Sequence, residues 1–160
     1  MSSMTRVLLD STYLLPSFGI EVEGLTERHI AQLREAVLSR KVKLYCLLVA
    51  WVEVIGKVCR EAKKAGISVD EVVEAALKSL FESKFYTWIS PNLEAIRLAF
   101  KLRMLGHRDN IDNLLYATSV VHDMILLTMD QELKIFLANH GYSLSNVMDH
   151  VQLIEKIHNI

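Results

Sequence analysis

Short apolar runs that suit buried strands alternate with longer amphipathic stretches along this chain. Such runs are typical of parallel strands, which are apolar throughout because helices cover both faces of the sheet. The pattern predicts four strands and a short fifth, at residues 5–10, 43–47, 85–89, 124–129 and 146–148. Because parallel strands need crossover connections, this alternation restricts the chain to a small set of α/β arrangements.

The intervening stretches have the apolar spacing of helices. Gly66 and Gly106 end two of them, while Ser90 and Pro91 suit the cap and first position of another. Helices are predicted for residues 26–40, 49–65, 69–81, 91–105, 112–121 and 131–139, and a last helix begins at 149. The expected fold is a three-layer α/β/α arrangement around a mainly parallel sheet of four to five strands.

Length and hydropathy set the broad class of the protein. A chain of 160 residues suits one domain, and we expect residues 1–160 to form it. No uninterrupted apolar stretch reaches the roughly 18 residues of a membrane helix. No signal peptide is recognised, because Arg6 precedes an apolar run that stops at Asp10. We therefore expect a soluble cytoplasmic protein with no membrane partner.

Charge, cysteine and histidine content exclude other classes. The net charge of -1 does not by itself indicate a nucleic-acid partner. Cys46 and Cys59 do not have the spacing of metal ligands, and no pair of the six histidines forms the HExxH pattern. A zinc site is therefore not expected.

Acidic residues stand where strands end. Asp10 follows the first predicted strand and Asp130 follows the fourth, while Glu53 lies early in the helix after the second strand. Asp112 opens a helix whose preceding loop returns to the same edge. In open parallel sheets, ligands bind in the crevice outside the carboxyl ends of the strands. We therefore expect these four carboxylates to converge there.

Converging carboxylates favour one kind of chemistry. They repel one another and raise each other's pKa unless a cation lies between them. Mg²⁺ and Mn²⁺ prefer oxygen ligands and are commonly held by a few carboxylates and water. One or two such ions can activate a water, position a phosphodiester and neutralise charge on the leaving oxygen.

Each acid also has a simpler interpretation. Asp10, Asp109 and Asp130 each stand just before a predicted helix, and Asp is a preferred N-cap. Glu53 has apolar neighbours along its helix and cannot be a cap, so its alternative is a buried ion pair with Lys57 one turn on. Capping and metal binding both remain open for the three aspartates.

Several segments, in order, resemble the PIN domain family of metal-dependent ribonucleases, which includes the VapC-type toxins. VLLDSTYLL resembles the opening segment with the family's first acid, here Asp10, and VAWVEVIGKV resembles the helix that bears the second, here Glu53. HRDNIDNLLYATSV is similar to the segment in which an acid, here Asp112, begins an apolar helix. LLTMDQEL resembles the strand-and-acid motif, with Thr128 and Asp130, and HGYSLSNVMDHVQLI resembles a family ending.

The resemblance spans about residues 7–153 and departs from the family in two places. The segment of residues 16–24 is longer and more acidic than a compact family member needs. HRDNID offers two acids where one is required, and the choice of Asp112 over Asp109 rests on the register of the apolar helix that follows.

The resemblance implies a PIN-like fold, Mg²⁺ or Mn²⁺ at the four acids, and hydrolysis of single-stranded RNA. For toxin members it also implies homodimers and a cognate antitoxin. We therefore expect a metal-dependent endoribonuclease, with a non-catalytic RNA- or protein-binding module of the same fold as the alternative. A haloacid-dehalogenase-like phosphatase is a weaker reading, because that chemistry needs a second Asp where this chain has Thr12.

Overall fold

The structure, a computed structural model, describes residues 3–159, so residues 1, 2 and 160 of the predicted domain lie outside it. Within that range the strands are β1 (Thr5–Leu9), β2 (Val42–Leu47), β3 (Tyr86–Ile89), β4 (Ile125–Leu127) and β5 (Val147–Met148). The helices are α1 (Glu27–Leu38), α2 (Trp51–Ala65), α3 (Val69–Glu82), α4 (Leu93–Met104), α5 (Asn110–Val121), α6 (Gln131–Asn139) and α7 (His150–His158). Two 3₁₀ helices, Ser11–Phe18 and Leu48–Ala50, follow β1 and β2.

The five strands form one sheet in the order β3-β2-β1-β4-β5, and every neighbouring pair is parallel. Helices α1, α2, α3 and α7 pack on one face, and α4, α5 and α6 pack on the other. The predicted three-layer α/β/α fold is therefore confirmed, with five strands in the sheet. Since β1 lies at the centre, the residue that follows it lies in the middle of the carboxyl edge.

Side chains of β1 divide the core between the two faces. Val7 and Leu9 are buried in the cluster on the α1 side, while Leu8 is buried in the cluster on the α5 side. This alternation follows from the twofold period of a strand. It explains why the run is apolar at consecutive positions, since neither face of the central strand meets water.

The segment after β1 is tied to the last helix. The Tyr13 hydroxyl donates to His150 Nδ1 at 3.0 Å, and His150 Nε2 donates to the Gly24 carbonyl at 2.7 Å. Burial lowers the pKa of His150, which favours the neutral ring that this pair of bonds requires. The first turns beyond Asp10 are thus held in place by α7.

Two helices begin at residues other than the predicted ones. Asn92, and not Ser90, caps α4, with its side-chain oxygen accepting from the Ala95 amide at 2.9 Å. Asp109 caps α5, as one interpretation of the sequence expects, and the helix begins at Asn110, two residues before the predicted start at Asp112. Both differences reflect side chains that bond the exposed amides of a first turn.

None of the helices within residues 3–159 is long and apolar enough to cross a membrane.

Leu8 tests the position of β1 between the two layers. Its side chain is fully buried, so we expect Leu8→Ala to lower the free energy of unfolding by about 2–5 kcal/mol. Leu38→Ala is the matched control, because Leu38 is 70% exposed, and it should change stability by less than about 0.5 kcal/mol. Urea unfolding of both variants measures the difference, and equal losses would contradict this placement.

Candidate metal-binding site

A pocket of about 340 Å³ at the carboxyl edge of the sheet gathers acidic side chains from separate parts of the chain. It is lined by Asp10, Ser11, Thr12, Glu53, Lys57, Asp109, Asp112, Met129 and Asp130. All four acids singled out in the sequence lie here, and Asp109 adds a fifth carboxylate. The crossovers of a parallel sheet return each of these segments to one edge, which is why residues so distant in sequence meet.

Asp10 is held where β1 gives way to the 3₁₀ helix. Its amide donates to the Leu127 carbonyl at 3.1 Å, which continues the pairing of β1 with β4 by one residue. Its Oδ1 accepts from the Thr12 amide at 2.9 Å, so it also caps the 3₁₀ helix. With 7% of its surface exposed, Asp10 is a buried carboxyl.

Asp130 is placed in the same way at the end of β4. Its Oδ1 accepts from the Glu132 and Leu133 amides at 2.9 and 3.3 Å, which caps α6. Its own amide donates to the Thr128 hydroxyl at 3.1 Å. That buried hydroxyl also lies beside the Asp10 carboxyl, whose pKa it acts to lower.

Asp109 and Asp112 occupy the first turn of α5. Asp109 Oδ1 accepts from the Ile111 and Asp112 amides at 3.0 Å, while Asp112 itself is buried. The next residue, Asn113, is completely buried and bonds His107 twice, through the His107 ring at 2.8 Å and the His107 carbonyl at 3.0 Å. Asn113 therefore fixes the loop that leads into the acidic turn.

Glu53 differs from its predicted setting. Its apolar neighbours Val52 and Ile55 are 68% and 61% exposed. The apolar residues around Glu53 therefore do not mean that the helix is buried on every side. The Glu53 side chain is 22% exposed and lies 3.6 Å from the Lys57 ammonium, so the predicted ion pair is present. The carboxylate also faces the pocket, where Glu53, Asp109 and Asp112 each offer an oxygen within 4.8 Å of the others.

Capping and pocket formation are compatible at these positions. Asp10, Asp109 and Asp130 each use Oδ1 to accept from helix amides. A carboxylate has a second oxygen, and these three residues all line the pocket as well. The two interpretations that the sequence left open therefore describe the same side chains.

The pocket concentrates negative charge in a poorly solvated place. Burial raises the pKa of Asp10 to about 6, against the opposing effects of the Thr128 and Thr12 hydrogen bonds and the Lys57 charge. Burial also raises the pKa of Asp112, and a hydrogen bond to Asp130 and the charge of Asp109 raise it further. Shifts of this direction are expected where carboxylates crowd together without a cation.

The donor set fits a hard divalent cation. Carboxylate oxygens suit Mg²⁺ and Mn²⁺, and the elevated pKa values of Asp10 and Asp112 are the strain that such a cation would relieve. A second pocket, of about 460 Å³, lies between α1 and α3 and has no carboxylate among its described lining residues. The acidic pocket is therefore the better metal site, although it is the smaller of the two.

Sequence reasoning did not assign three of these roles. The sequence offers Asp109 as the alternative to Asp112, whereas both line the pocket, and the D-x-x-D spacing on a first turn is the signal for this. Asn113 had no signal beyond its place next to Asp112. Lys57 was considered only as a partner of Glu53, although it too lines the pocket.

Asp10→Asn tests the electrostatic strain without removing the cap, because Asn caps helices about as well as Asp. The folded protein keeps the Asp10 proton at pH values where the unfolded chain releases it. The Asp10 carboxyl therefore lowers the free energy of unfolding progressively as pH rises above about 4, and this loss is complete above about 6. We expect Asp10→Asn to stabilise the metal-free protein by roughly 1–3 kcal/mol at pH 7.5, with the gain shrinking towards pH 4.

Thermal unfolding in EDTA across this pH range measures the effect. The control is Asp70→Asn, an exposed acid of α3, which should change stability by less than about 0.5 kcal/mol at either pH. A destabilised Asp10→Asn protein at pH 7.5 would show that the carboxylate is not strained.

Comparisons with known proteins address the fold. No family model matches the sequence, and no curated protein does. Among solved structures, PAE2754 from Pyrobaculum aerophilum is 16% identical with a TM-score of 0.62, covering 98% of this chain and 91% of that one. A toxin-antitoxin complex from Klebsiella pneumoniae is 16% identical with a TM-score of 0.55, covering 90% of this chain and 97% of the other. VapBC-1 from nontypeable Haemophilus influenzae is 12% identical with a TM-score of 0.58, covering 92% and 99%.

These likenesses run over nearly the full length of each chain at low sequence identity, so they speak to architecture. Together with the all-parallel five-stranded sheet, they confirm what the sequence motifs predicted: the chain has a PIN-like fold.

Proposed function

We propose that this protein is a metal-dependent endoribonuclease that hydrolyses phosphodiester bonds in single-stranded RNA. The observation that carries the proposal is the gathering of five carboxylates in one pocket at the carboxyl edge of the sheet. Such a cluster is costly unless it binds cations, and an anionic backbone can approach it only when cations are present. The PIN-like fold and the family motifs support RNA as the substrate.

Asp10, Glu53, Asp112 and Asp130 are the proposed metal ligands, directly or through water. A bound Mg²⁺ or Mn²⁺ would supply an activated water and neutralise charge on the leaving oxygen. Thr128 accepts a hydrogen bond from the Asp130 amide and lies beside Asp10, and Asn113 holds the loop before Asp112. Asp109 is an additional carboxylate of the same pocket and the ligand that competes with Asp112 for the third position.

We further propose that the protein is the toxin of a toxin-antitoxin pair. Two of the solved structures that it resembles are a toxin-antitoxin complex and VapBC-1, which supports a cognate antitoxin as partner. A small DNA-binding protein encoded by the neighbouring reading frame is the candidate. Co-expression should give a stable complex that lacks the RNA cleavage of the isolated chain.

A homodimer is the third part of the proposal. Helix α4 presents an exposed apolar stripe at helical spacing: Leu93 is 73% exposed, Phe100 70% and Met104 85%. The first turn of the helix carries Glu94, and its last turn carries Lys101 and Arg103. Antiparallel packing of two copies would bury the stripe and bring the acidic start of each helix against the basic end of the other.

Asp112→Asn tests the metal chemistry. It removes a buried charge from the centre of the cluster, so we expect cleavage of single-stranded RNA in Mg²⁺ or Mn²⁺ to fall by at least about a hundredfold. Asp70→Asn should cleave like the native protein, and EDTA should stop cleavage by both. The measurement is the initial rate on a labelled RNA.

Two outcomes would count against the proposal. Equal rates for the native and Asp112→Asn proteins would show that cleavage does not depend on Asp112, which contradicts its assignment as a metal ligand. RNA binding without cleavage under varied metals would favour the non-catalytic module.

Phe100→Glu tests the dimer. A charge in the middle of the α4 stripe should convert the dimer to a monomer without unfolding it, since Phe100 is exposed in a single chain. Size-exclusion chromatography with light scattering measures the mass. Ile135→Glu, at a 60% exposed apolar residue of α6, is the control and should remain dimeric. A native protein that is monomeric at high micromolar concentration would refute the proposal.

A further inference from the structure

Lys57 brings a positive charge into the acidic pocket. It lies on α2 one turn after Glu53, and its ammonium is 3.6 Å from Glu53 Oε2. The ammonium also donates to Ser11 Oγ at 3.2 Å, which links α2 to the residue directly after Asp10. Among the described residues that line the pocket, Lys57 is the one cation.

The contacts of Lys57 differ from those of an ordinary helix-surface ion pair. The other two lysine–glutamate pairs within residues 3–159 also join neighbouring turns of a helix, but Lys64 and Lys78 are 68% and 63% exposed. The Lys57 side chain is only 33% exposed, and it reaches a buried serine on another element. Ion pairs on the surface contribute little to stability. The partly desolvated Lys57, which links two elements, is therefore better explained by a role in the pocket.

The position of Lys57 suits a phosphate. A phosphodiester is an anion and must come close to five carboxylates to be cleaved at this pocket. An ammonium near the metal ligands would lie against a non-bridging oxygen of that phosphate, where a point charge is most effective as negative charge grows in the transition state. Glu53 and Ser11 hold the ammonium in place before the substrate arrives.

We propose that Lys57 is a catalytic residue that contacts the scissile phosphate and stabilises the charge on its non-bridging oxygen. This inference rests on the proposed nuclease function and adds a role for a residue to which the resemblance assigns none. The role is electrostatic: Lys57 donates hydrogen bonds, keeps its protons and forms no covalent bond. A divalent cation held by Glu53 would neutralise that carboxylate and leave the Lys57 ammonium available to the substrate.

Three variants test the proposal. Lys57→Met keeps most of the side-chain volume and removes the charge, Lys57→Arg keeps a charge, and Lys64→Met is the matched control on the same helix. We expect Lys57→Met to lower kcat on single-stranded RNA by about tenfold to a hundredfold with little change in KM. Lys57→Arg should recover part of that loss, and Lys64→Met should match the native protein.

Two binding measurements separate contact with phosphate from an effect through Glu53. Calorimetry with Mn²⁺ alone should show that Lys57→Met binds the metal at least as tightly as the native protein. Fluorescence anisotropy with a labelled single-stranded RNA in Ca²⁺, over a range of NaCl, should show a salt dependence of log Kd that is shallower by about 0.7 in Lys57→Met.

An unchanged kcat together with an unchanged salt dependence would overturn the proposal. So would a fall in kcat that accompanies weaker Mn²⁺ binding, because Lys57 would then act by holding Glu53. If the native protein binds RNA but cleaves none, the nuclease function fails. The catalytic role of Lys57 fails with it. A shallower salt dependence of log Kd in Lys57→Met would then show only that Lys57 contacts phosphate, and an unchanged salt dependence would exclude that contact too.

Discussion

The hydrogen bonding of β1 to a strand on each side determines where the acidic pocket lies. With β2 on one side and β4 on the other, β1 is at the centre of an all-parallel sheet. The residue that follows it, Asp10, therefore lies at the middle of the carboxyl edge, near the end of β4 and the starts of α2 and α5. The other carboxylates of the pocket come from segments that end or begin at the same edge of the sheet, so they lie around Asp10.

Packing and electrostatics act in opposite directions at this edge. The fold buries Asp10 and Asp112, which disfavours their charged forms, and places them beside other acids, which disfavours those forms further. Backbone amides, the Thr128 hydroxyl and Lys57 offset part of that cost. Regions with this conflict are where proteins give up stability for function, since the same arrangement becomes favourable once a cation binds.

The fold could be predicted from the sequence because apolar runs and helical spacing mark most of the segments that the fold buries. The four acids were readable because the end of a parallel strand has a known place in such a fold. Neither signal could reveal that Asp109 both caps α5 and lines the pocket. The sequence overstates how deeply Glu53 is buried, because hydrophobicity alone cannot distinguish a buried neighbour from an exposed one such as Val52.

The double use of the aspartates as caps and pocket residues has a consequence for how such a fold changes over generations. An Asp codon becomes an Asn codon through a single base change, and Asn starts a helix about as well as Asp. At Asp10, Asp109 or Asp130 that change would leave the helix starts intact while it removes a charge from the pocket. A descendant could therefore lose the proposed hydrolysis in one step while it keeps the fold.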